Sequence, residues 1–262
     1  MRVLLLCAVA LSASSCRLLT QDGEPVTPQR PTFSTDTNTT AHGTLEIETG
    51  MLVDPGDITT TPTTIKYGAG PSTEVFVGLT PYQYLDVEGE DDEDGIGDTL
   101  LGMRFRILDE RDGTPSFALM PFVKLPTANE DEGLGTGQVD FSLAAITSFT
   151  EAGTFFTGYY QFDVLGEVGG GTAIGHGLAL AASRPVTDQV GVFGEVASTI
   201  VSEFDLEPVF GTVGATFALS DFFVLDGSVR VGLNDDAPDT QFQVGLTRNF
   251  GRVYRALRPQ SE

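Results

Sequence analysis

The sequence predicts an all-β protein: a closed, antiparallel, up-and-down transmembrane β-barrel of about twelve strands over residues 43–250. Three observations predict it. From Gly43 onward apolar residues recur at every second position, as in strands with two different faces. Most of the predicted strands have the roughly 9–11 residues that a tilted membrane strand needs. The connectors alternate between longer and shorter, as external loops and periplasmic turns do in outer-membrane barrels.

The predicted strands follow from the alternation of faces. In one of them Leu101, Met103 and Phe105 alternate with Gly102, Arg104 and Arg106. An even strand number is typical of single-chain bacterial barrels. The strands are expected at 44–53, 59–67, 73–85, 97–108, 116–125, 138–149, 154–165, 176–184, 190–200, 208–219, 222–233 and 240–250.

The connectors give the topological evidence, since a soluble sandwich has no reason to alternate their lengths. In hydrocarbon every backbone N–H and C=O needs an internal partner, and strands meet that demand only by closing into a ring. From Asp86 onward the connectors run over 86–96, 109–115, 126–137, 150–153, 166–175, 185–189, 201–207, 220–221 and 234–239.

Composition excludes several classes of function. Charged residues make up 19% of the chain, below the quarter or so of a soluble protein. The net charge of −23 repels nucleic acid and offers no polybasic face for anionic lipid. Both cysteines, Cys7 and Cys16, lie in the first sixteen residues, so neither a disulfide in the barrel nor a cysteine-based metal site is expected. No cofactor is predicted.

The N-terminus has the layout of an export signal over residues 1–15: Arg2, an apolar run, then small residues. Ala13-Ser14-Ser15-Cys16 resembles a bacterial lipobox, which predicts lipidation of Cys16. Ordinary signal cleavage nearby, with Cys16 incidental, is the alternative. Residues 16–42, rich in Thr, Pro, Asp and Gln, are expected to form a disordered periplasmic tether. Residues 251–262 are expected to form a C-terminal tail.

Charged residues on the inward face are the candidate functional residues. One interpretation is a salt-bridge network that fills and stiffens the lumen. The other is a charged constriction that sets the selectivity of a channel. The inward residues are Glu46, Glu48 and Lys66 together with the selectivity candidates Asp98, Arg104, Arg106, Lys124, Asp140, Asp163, Glu195, Asp226 and Arg230.

Metal binding and catalysis find little support in the motifs. The acidic stretch 86–98 has Leu101 where a calcium-binding EF-hand loop needs glutamate, so a solvated external loop is predicted. His176 lies at the external end of a strand, where a catalytic histidine is conceivable. No serine or aspartate can be assigned as its partner from spacing. We therefore expect neither a metal site nor an enzyme.

Two glycine-rich elements carry a family resemblance. Gly95-Ile96-Gly97-Asp98 followed by 101–106, and Lys124-Leu125-Pro126-Thr127 followed by 135–137 and Asp140-Phe141, resemble elements of an outer-membrane channel family. Tyr67-Gly68 before Glu74-Val75 resembles another of its turns. That family, associated with the meta pathway of phenol degradation, is loosely called "transporter". Ala128 stands where the family often has glycine, and the chain continues beyond Phe250. The resemblance implies passive movement of small molecules, hydrophobic or aromatic ones included.

The sequence thus favours a monomeric barrel in the outer membrane of a bacterial cell, for passage or binding of small solutes. Its expected partners are membrane lipid, the outer-membrane assembly machinery and a small-molecule solute. The alternatives are a structural or adhesive surface barrel without transport and an exported soluble β-barrel or sandwich.

Overall fold

One antiparallel sheet contains every strand that the computed structural model describes, within residues 25–55, 58–86, 92–201 and 207–253. Those residues contain no helix long and apolar enough to cross a membrane. The strands are β1 (Thr44–Asp54), β2 (Ile58–Thr60), β3 (Thr63–Gly70), β4 (Thr73–Leu79), β5 (Gln83–Leu85), β6 (Glu93–Gly95), β7 (Thr99–Leu108), β8 (Ser116–Leu125), β9 (Asp140–Glu151), β10 (Thr154–Gly166), β11 (Thr172–Pro185), β12 (Val190–Val201), β13 (Val209–Ser220), β14 (Phe223–Gly232) and β15 (Thr240–Arg252).

The sheet closes on itself through the pairing of β1 with β15, in a register that sets Met51 opposite Val244. The ring passes through β1, β3, β4 and then β7 to β15 in order. The predicted closed, up-and-down, twelve-stranded barrel is therefore confirmed. Closure gives each of the twelve described ring strands a neighbour on both sides, which is the condition for crossing hydrocarbon with strands.

The short strands β2, β5 and β6 extend the barrel wall at its external rim. They continue β3, β4 and β7. β2 pairs with the last residues of β1, β5 pairs with β2, and β6 pairs with β5. The sequence predicts single strands over 59–67 and 73–85, and both are in fact interrupted, at Pro62 and Pro81. Proline has no N–H to donate to a ladder, so the pairing stops and resumes one or two residues later.

The two faces of the wall separate as the alternation predicts. Leu180, Val213 and Phe141 point outward with 74%, 66% and 61% of their surface exposed. Inward positions on the same wall carry buried charged side chains, among them Glu46, Lys66 and Glu195. A broad exposed apolar surface of this kind indicates contact with lipid. The short turns mark the periplasmic end, and the longer connectors mark the external end.

Residues 25–42, called the inner segment from here on, lie inside the barrel. Val26 N donates to the carbonyl of Asp221 in the periplasmic turn between β13 and β14. Pro31, Ser34, Thr37 and Thr40 are buried. The chain leaves beside β3, where the amide of Gly43 bonds the carbonyl of Gly68, and enters β1.

The prediction of a disordered tether over 16–42 is wrong for residues 25–42, which form the inner segment. That prediction assumed that a stretch without apolar periodicity cannot fold. The segment is instead ordered by hydrogen bonds from its amides and hydroxyls to carboxylates on the wall. The end of the barrel also shifts, because β15 continues to Arg252 rather than Phe250. The predicted signal peptide, Cys16, residues 16–24 and most of the tail lie outside the described residues.

Candidate functional site

Glu195 on β12 holds the middle of the inner segment. One carboxylate oxygen accepts the amide of Phe33 at 2.7 Å, and the other accepts the amide of Ser34 at 2.8 Å and its hydroxyl at 2.5 Å. The side chain is buried, so these donors replace the water that an ionised carboxylate otherwise requires. Glu195, predicted as a selectivity residue, therefore binds the inner segment through hydrogen bonds.

Glu46, Glu48 and Lys66 form a buried cluster at the start of the segment. Lys66 stands opposite Glu46 across the β1–β3 ladder, and its Nζ lies 2.5 Å from Glu46 Oε1 and 2.6 Å from Glu48 Oε1. The same ammonium donates to the carbonyl of Thr27 at 2.7 Å. The amides of Thr27 and Gln29 donate to Glu46 and Glu48. Wall and segment thus share one network of charge-assisted bonds.

Glu74 and Arg104, opposite each other on β4 and β7, bind the end of the segment. Glu74 Oε2 accepts both the amide and the hydroxyl of Thr40 at 2.7 Å. Arg104 Nη1 lies 3.6 Å from Glu74 Oε1 and donates to the carbonyl of Asn38 at 2.7 Å. Arg104, predicted as a lumen-lining selectivity residue, lies under the end of the segment and also lines the cavity beside it.

Arg30 reaches from the segment to the far wall. Its Nε is 3.3 Å from Asp226 Oδ2, and its Nη2 donates to the carbonyl of Val244 at 3.2 Å. A Cβ at Gly50 or Gly245 would collide with the guanidinium. Glycine at these two inward positions therefore makes room for the side chain that pins the segment to β14.

A second cluster, the rim cluster, joins Asp98, Lys124 and Asp140 at the external end. Lys124 Nζ lies 2.8 Å from Asp140 Oδ2 and 3.3 Å from Asp98 Oδ2, and it donates to Thr136 Oγ1 at 2.8 Å. Asp98 Oδ1 accepts the amides of Thr127 and Ala128, and Asp140 Oδ1 accepts the amide of Gly166. The cluster ties two external loops to the wall, and it unites three residues that the sequence places on neighbouring strands.

The remaining predicted residues lie apart from one another. Asp163 accepts the hydroxyl of Ser142 at 2.5 Å and the amide of Gln161. Arg106 pairs at the periplasmic rim with Asp109 at 2.7 Å. Arg230 lies with its guanidinium carbon 4.6 Å from the centre of the Phe210 ring. Most of the predicted inward charges therefore belong to local pairs, as the network interpretation expects.

Open space remains beside the inner segment. A cavity of about 310 Å³ lies between the segment and the wall of β1, β3, β4, β7, β8 and β10. One side is apolar, with Phe76 and Phe122 at a ring-centroid distance of 6.5 Å. The other side is polar, with Lys66, Gln243 and Gln29. A further cavity of about 370 Å³ lies across the segment, against β10 to β13. The segment narrows the lumen without filling it.

Sequence reasoning missed Glu74, Arg30 and Ser34 as residues of the site. Glu74 sits on a strand whose inward face is otherwise Phe and Gly, and Arg30 and Ser34 fall in the stretch taken for a tether. One signal was available: the inward set contains more carboxylates than cations. Buried carboxylates need donors, so this excess pointed to a further element inside the barrel.

His176 lies on the outer face, not in the lumen. Its Nδ1 is 3.0 Å from the hydroxyl of Tyr160, and the Phe162 ring packs against it. The carboxylate of Asp163, on the paired strand, points inward. Across the residues that the structure describes, no group of three or more His, Cys, Asp or Glu is placed to hold a metal ion.

A closed twelve-stranded barrel with an apolar outer surface and a polar lumen defines the protein as a bacterial outer-membrane β-barrel. Its sequence matches, over residues 29–250, the family described as "Putative MetA-pathway of phenol degradation", and the chain belongs to that family. The match begins inside the inner segment. No curated protein sequence matches the chain.

Solved structures share the fold at low sequence identity. An outer membrane channel from Pseudomonas putida F1 superposes with a TM-score of 0.64 at 12% identity, covering 84% of this chain and 100% of the channel. The NanC porin superposes with a TM-score of 0.53 at 7% identity, covering 78% of this chain and 98% of the porin. At these identities the likeness establishes the barrel architecture.

Proposed function

We propose that the protein is a passive outer-membrane channel for small solutes and that the inner segment sets the width of its path. The observation that carries the proposal is the 310 Å³ cavity between the segment and the wall. A buried space of roughly 150 Å³ is enough for benzene. The family description, which names phenol degradation, and the structural likeness to an outer membrane channel support the same function.

The lining of that cavity favours solutes with an apolar or aromatic body. Phe33 packs edge-on against Tyr159 at a centroid distance of 5.8 Å, and Phe76 and Phe122 line the same cavity. Aromatic walls offer favourable geometry to a planar apolar solute, while Lys66 and Gln243 offer hydrogen bonds to one polar group. Porins that pass hydrophilic solutes, in contrast, have wide aqueous lumens.

Removal of the inner segment tests the proposal. A variant that lacks residues 25–42 but retains residues 1–24 is expected to show a several-fold larger single-channel conductance in planar bilayers and faster liposome swelling. The reason is that the segment occupies part of the cross-section. Deletion of Gly169–Gly171, in an external loop, serves as the control and is expected to leave conductance unchanged.

A single substitution also tests whether the inner segment limits conductance, without deleting any residues. Glu195→Gln removes the charge that binds Phe33 and Ser34, and we expect larger or more frequent openings. Asp163→Asn removes an inward carboxylate whose hydrogen-bond partners among the described residues are Ser142 and Gln161, and it is expected to behave as wild type. If all variants insert and none conducts, the channel proposal fails and a structural or adhesive barrel is favoured.

We also propose that Cys16 is lipidated and that the barrel functions as a monomer inserted by the outer-membrane assembly machinery, without enzymatic activity. The inner segment supports the lipid anchor, because Val26 bonds the periplasmic turn at Asp221 and thus starts on the side of the inner leaflet. The outward position of His176 supports a non-catalytic role. Unchanged processing and membrane attachment of a Cys16→Ser variant would refute the anchor.

A further inference from the structure

We propose that Arg230 is a binding site for the carboxylate of monoanionic organic solutes that enter from the external side. The inference rests on the proposed channel function and deepens it, because it names a chemical class of solute. Its starting point is a contrast among the cationic side chains that face the lumen.

Five other cations near the lumen have a carboxylate close by. Arg30, Lys66, Arg104, Arg106 and Lys124 each lie 3.6 Å or closer to a carboxylate oxygen. Within the described ranges Arg230 forms no such pair. Glu195, whose charge acts on Arg230 from a longer distance, already binds the amides of Phe33 and Ser34, and Asp54 accepts the amide of Gln241. Among the described residues, Arg230 is thus left without a carboxylate in direct contact.

The contacts that Arg230 does make orient it and leave its charge unneutralised. Its Nε donates to Thr212 Oγ1 at 3.4 Å and its Nη1 to Gln241 Oε1 at 3.3 Å. Both bonds are long and have neutral acceptors. The amide nitrogen of Gln241 donates to Asp54 Oδ2, which turns the amide oxygen toward Arg230. The guanidinium stacks on Phe210, so its plane is fixed before any solute arrives.

The position of Arg230 suits a solute that comes from outside. It lies near the external end of β14, two residues before Gly232. Phe210, beneath the guanidinium, packs edge-on against Phe33 of the inner segment at 5.9 Å. An anion held at Arg230 therefore lies next to the Phe210 ring, which contacts Phe33 of the inner segment.

The chemistry of the guanidinium selects the ligand. Its planar donors match a carboxylate, which can accept two of them side by side. A half-buried cation without a partner is unfavourable, and a single negative charge on the solute removes that cost. A monoanion matches one guanidinium, whereas a phosphate dianion would add negative charge to a protein of net charge −23.

Binding in detergent tests the inference directly. Full-length protein folded in detergent is titrated with 4-fluorobenzoate, and with neutral 4-fluorobenzyl alcohol, by fluorine NMR. Arg230→Gln is expected to weaken benzoate binding by about tenfold or more, from the loss of a charge-assisted bond, and to leave the alcohol unchanged. Arg230→Lys is expected to fall between Arg230→Gln and wild type, because it keeps the charge and loses the paired geometry.

Arg248→Gln is the matched control. Arg248 is also stacked on a phenylalanine, at 5.0 Å from the Phe250 ring, but it lies on the outer face of β15, so its loss is expected to leave both affinities unchanged. Equal benzoate affinity in wild type and Arg230→Gln would overturn the inference. So would an equal loss for benzoate and alcohol, or for Arg230→Gln and Arg248→Gln.

The experiment separates this site from the channel proposal, since it requires no transport. Benzoate binding that depends on Arg230 in a protein that does not conduct leaves the site standing and removes the channel. Conductance without such binding leaves the channel and removes the site.

Discussion

Glu46 and Glu48 each have two kinds of partner, the ammonium of Lys66 and a backbone amide of the inner segment. The lysine allows two buried acids to stay close together, and their remaining lone pairs are then available to order the segment. A charged lumen in this protein is thus mainly an internal scaffold. A charged side chain can bind a passing solute only where it keeps a free hydrogen-bond donor, as we propose for Arg230.

Lys66→Met is expected to destabilise the protein by about 3–5 kcal/mol, because it leaves two buried carboxylates without their cation. The measurement is the free energy of unfolding in lipid vesicles with urea. The triple variant Lys66→Met, Glu46→Gln, Glu48→Gln is expected to recover most of the loss, since it removes the uncompensated charge. A single variant as stable as wild type would contradict a structural role for the cluster.

At the scale of elements, the strands were predictable and the inner segment was not. The alternation of apolar and polar residues predicts which face of a strand meets lipid. It placed Leu101 outward and Arg104 inward, as observed. The inner segment is ordered through main-chain amides, for example those of Phe33 and Ser34. Every residue but proline has such an amide, so these bonds leave no mark in the side-chain pattern of the segment. The breaks at Pro62 and Pro81 were readable in principle.

Of the contacts in the rim cluster, those between strands could be predicted from the sequence and those between the loop and the wall could not. The register of β8 and β9 pairs Lys124 with Asp140, as cross-strand reasoning suggested. The bonds from Asp98 to the amides of Thr127 and Ala128 depend on how the loop returns to the rim. Sequence spacing does not determine that path.

The rim cluster predicts the behaviour of the loop over 126–139. Lys124→Met is expected to free this loop and to speed its cleavage by a glutamate-specific protease at Glu130 or Glu132, because local opening governs proteolysis. Arg111→Met removes an ion pair whose members are both highly exposed, and such pairs contribute little. Equal cleavage rates in the two variants would show that Lys124 does not hold the loop.

At the scale of the whole molecule, the apolar outer surface requires the barrel to fold in contact with lipid. Leu180, near the middle of β11, is 74% exposed. Leu180→Arg is expected to cost about 2–4 kcal/mol, the penalty for a cation near the bilayer midplane. The fraction of protein that shows heat-modifiable gel migration after refolding into vesicles measures the effect.

Val168→Arg is the control for this substitution. Val168 is 77% exposed but lies in the external loop between β10 and β11, so its replacement is expected to be neutral. Equal losses at the two positions would mean that the outer surface does not face lipid.

The seam between β1 and β15 joins the two ends of the barrel sequence, and the inner segment immediately precedes β1. Its anchors on the wall include Glu195 and Asp226, on strands near the opposite end of the chain. The partners of the segment on β1, β3 and β4 are therefore exported soon after it, whereas those on β12 and β14 arrive last. Contacts between residues so distant in the sequence form late, so we expect the segment to be held against both sides of the lumen only once the ring is complete.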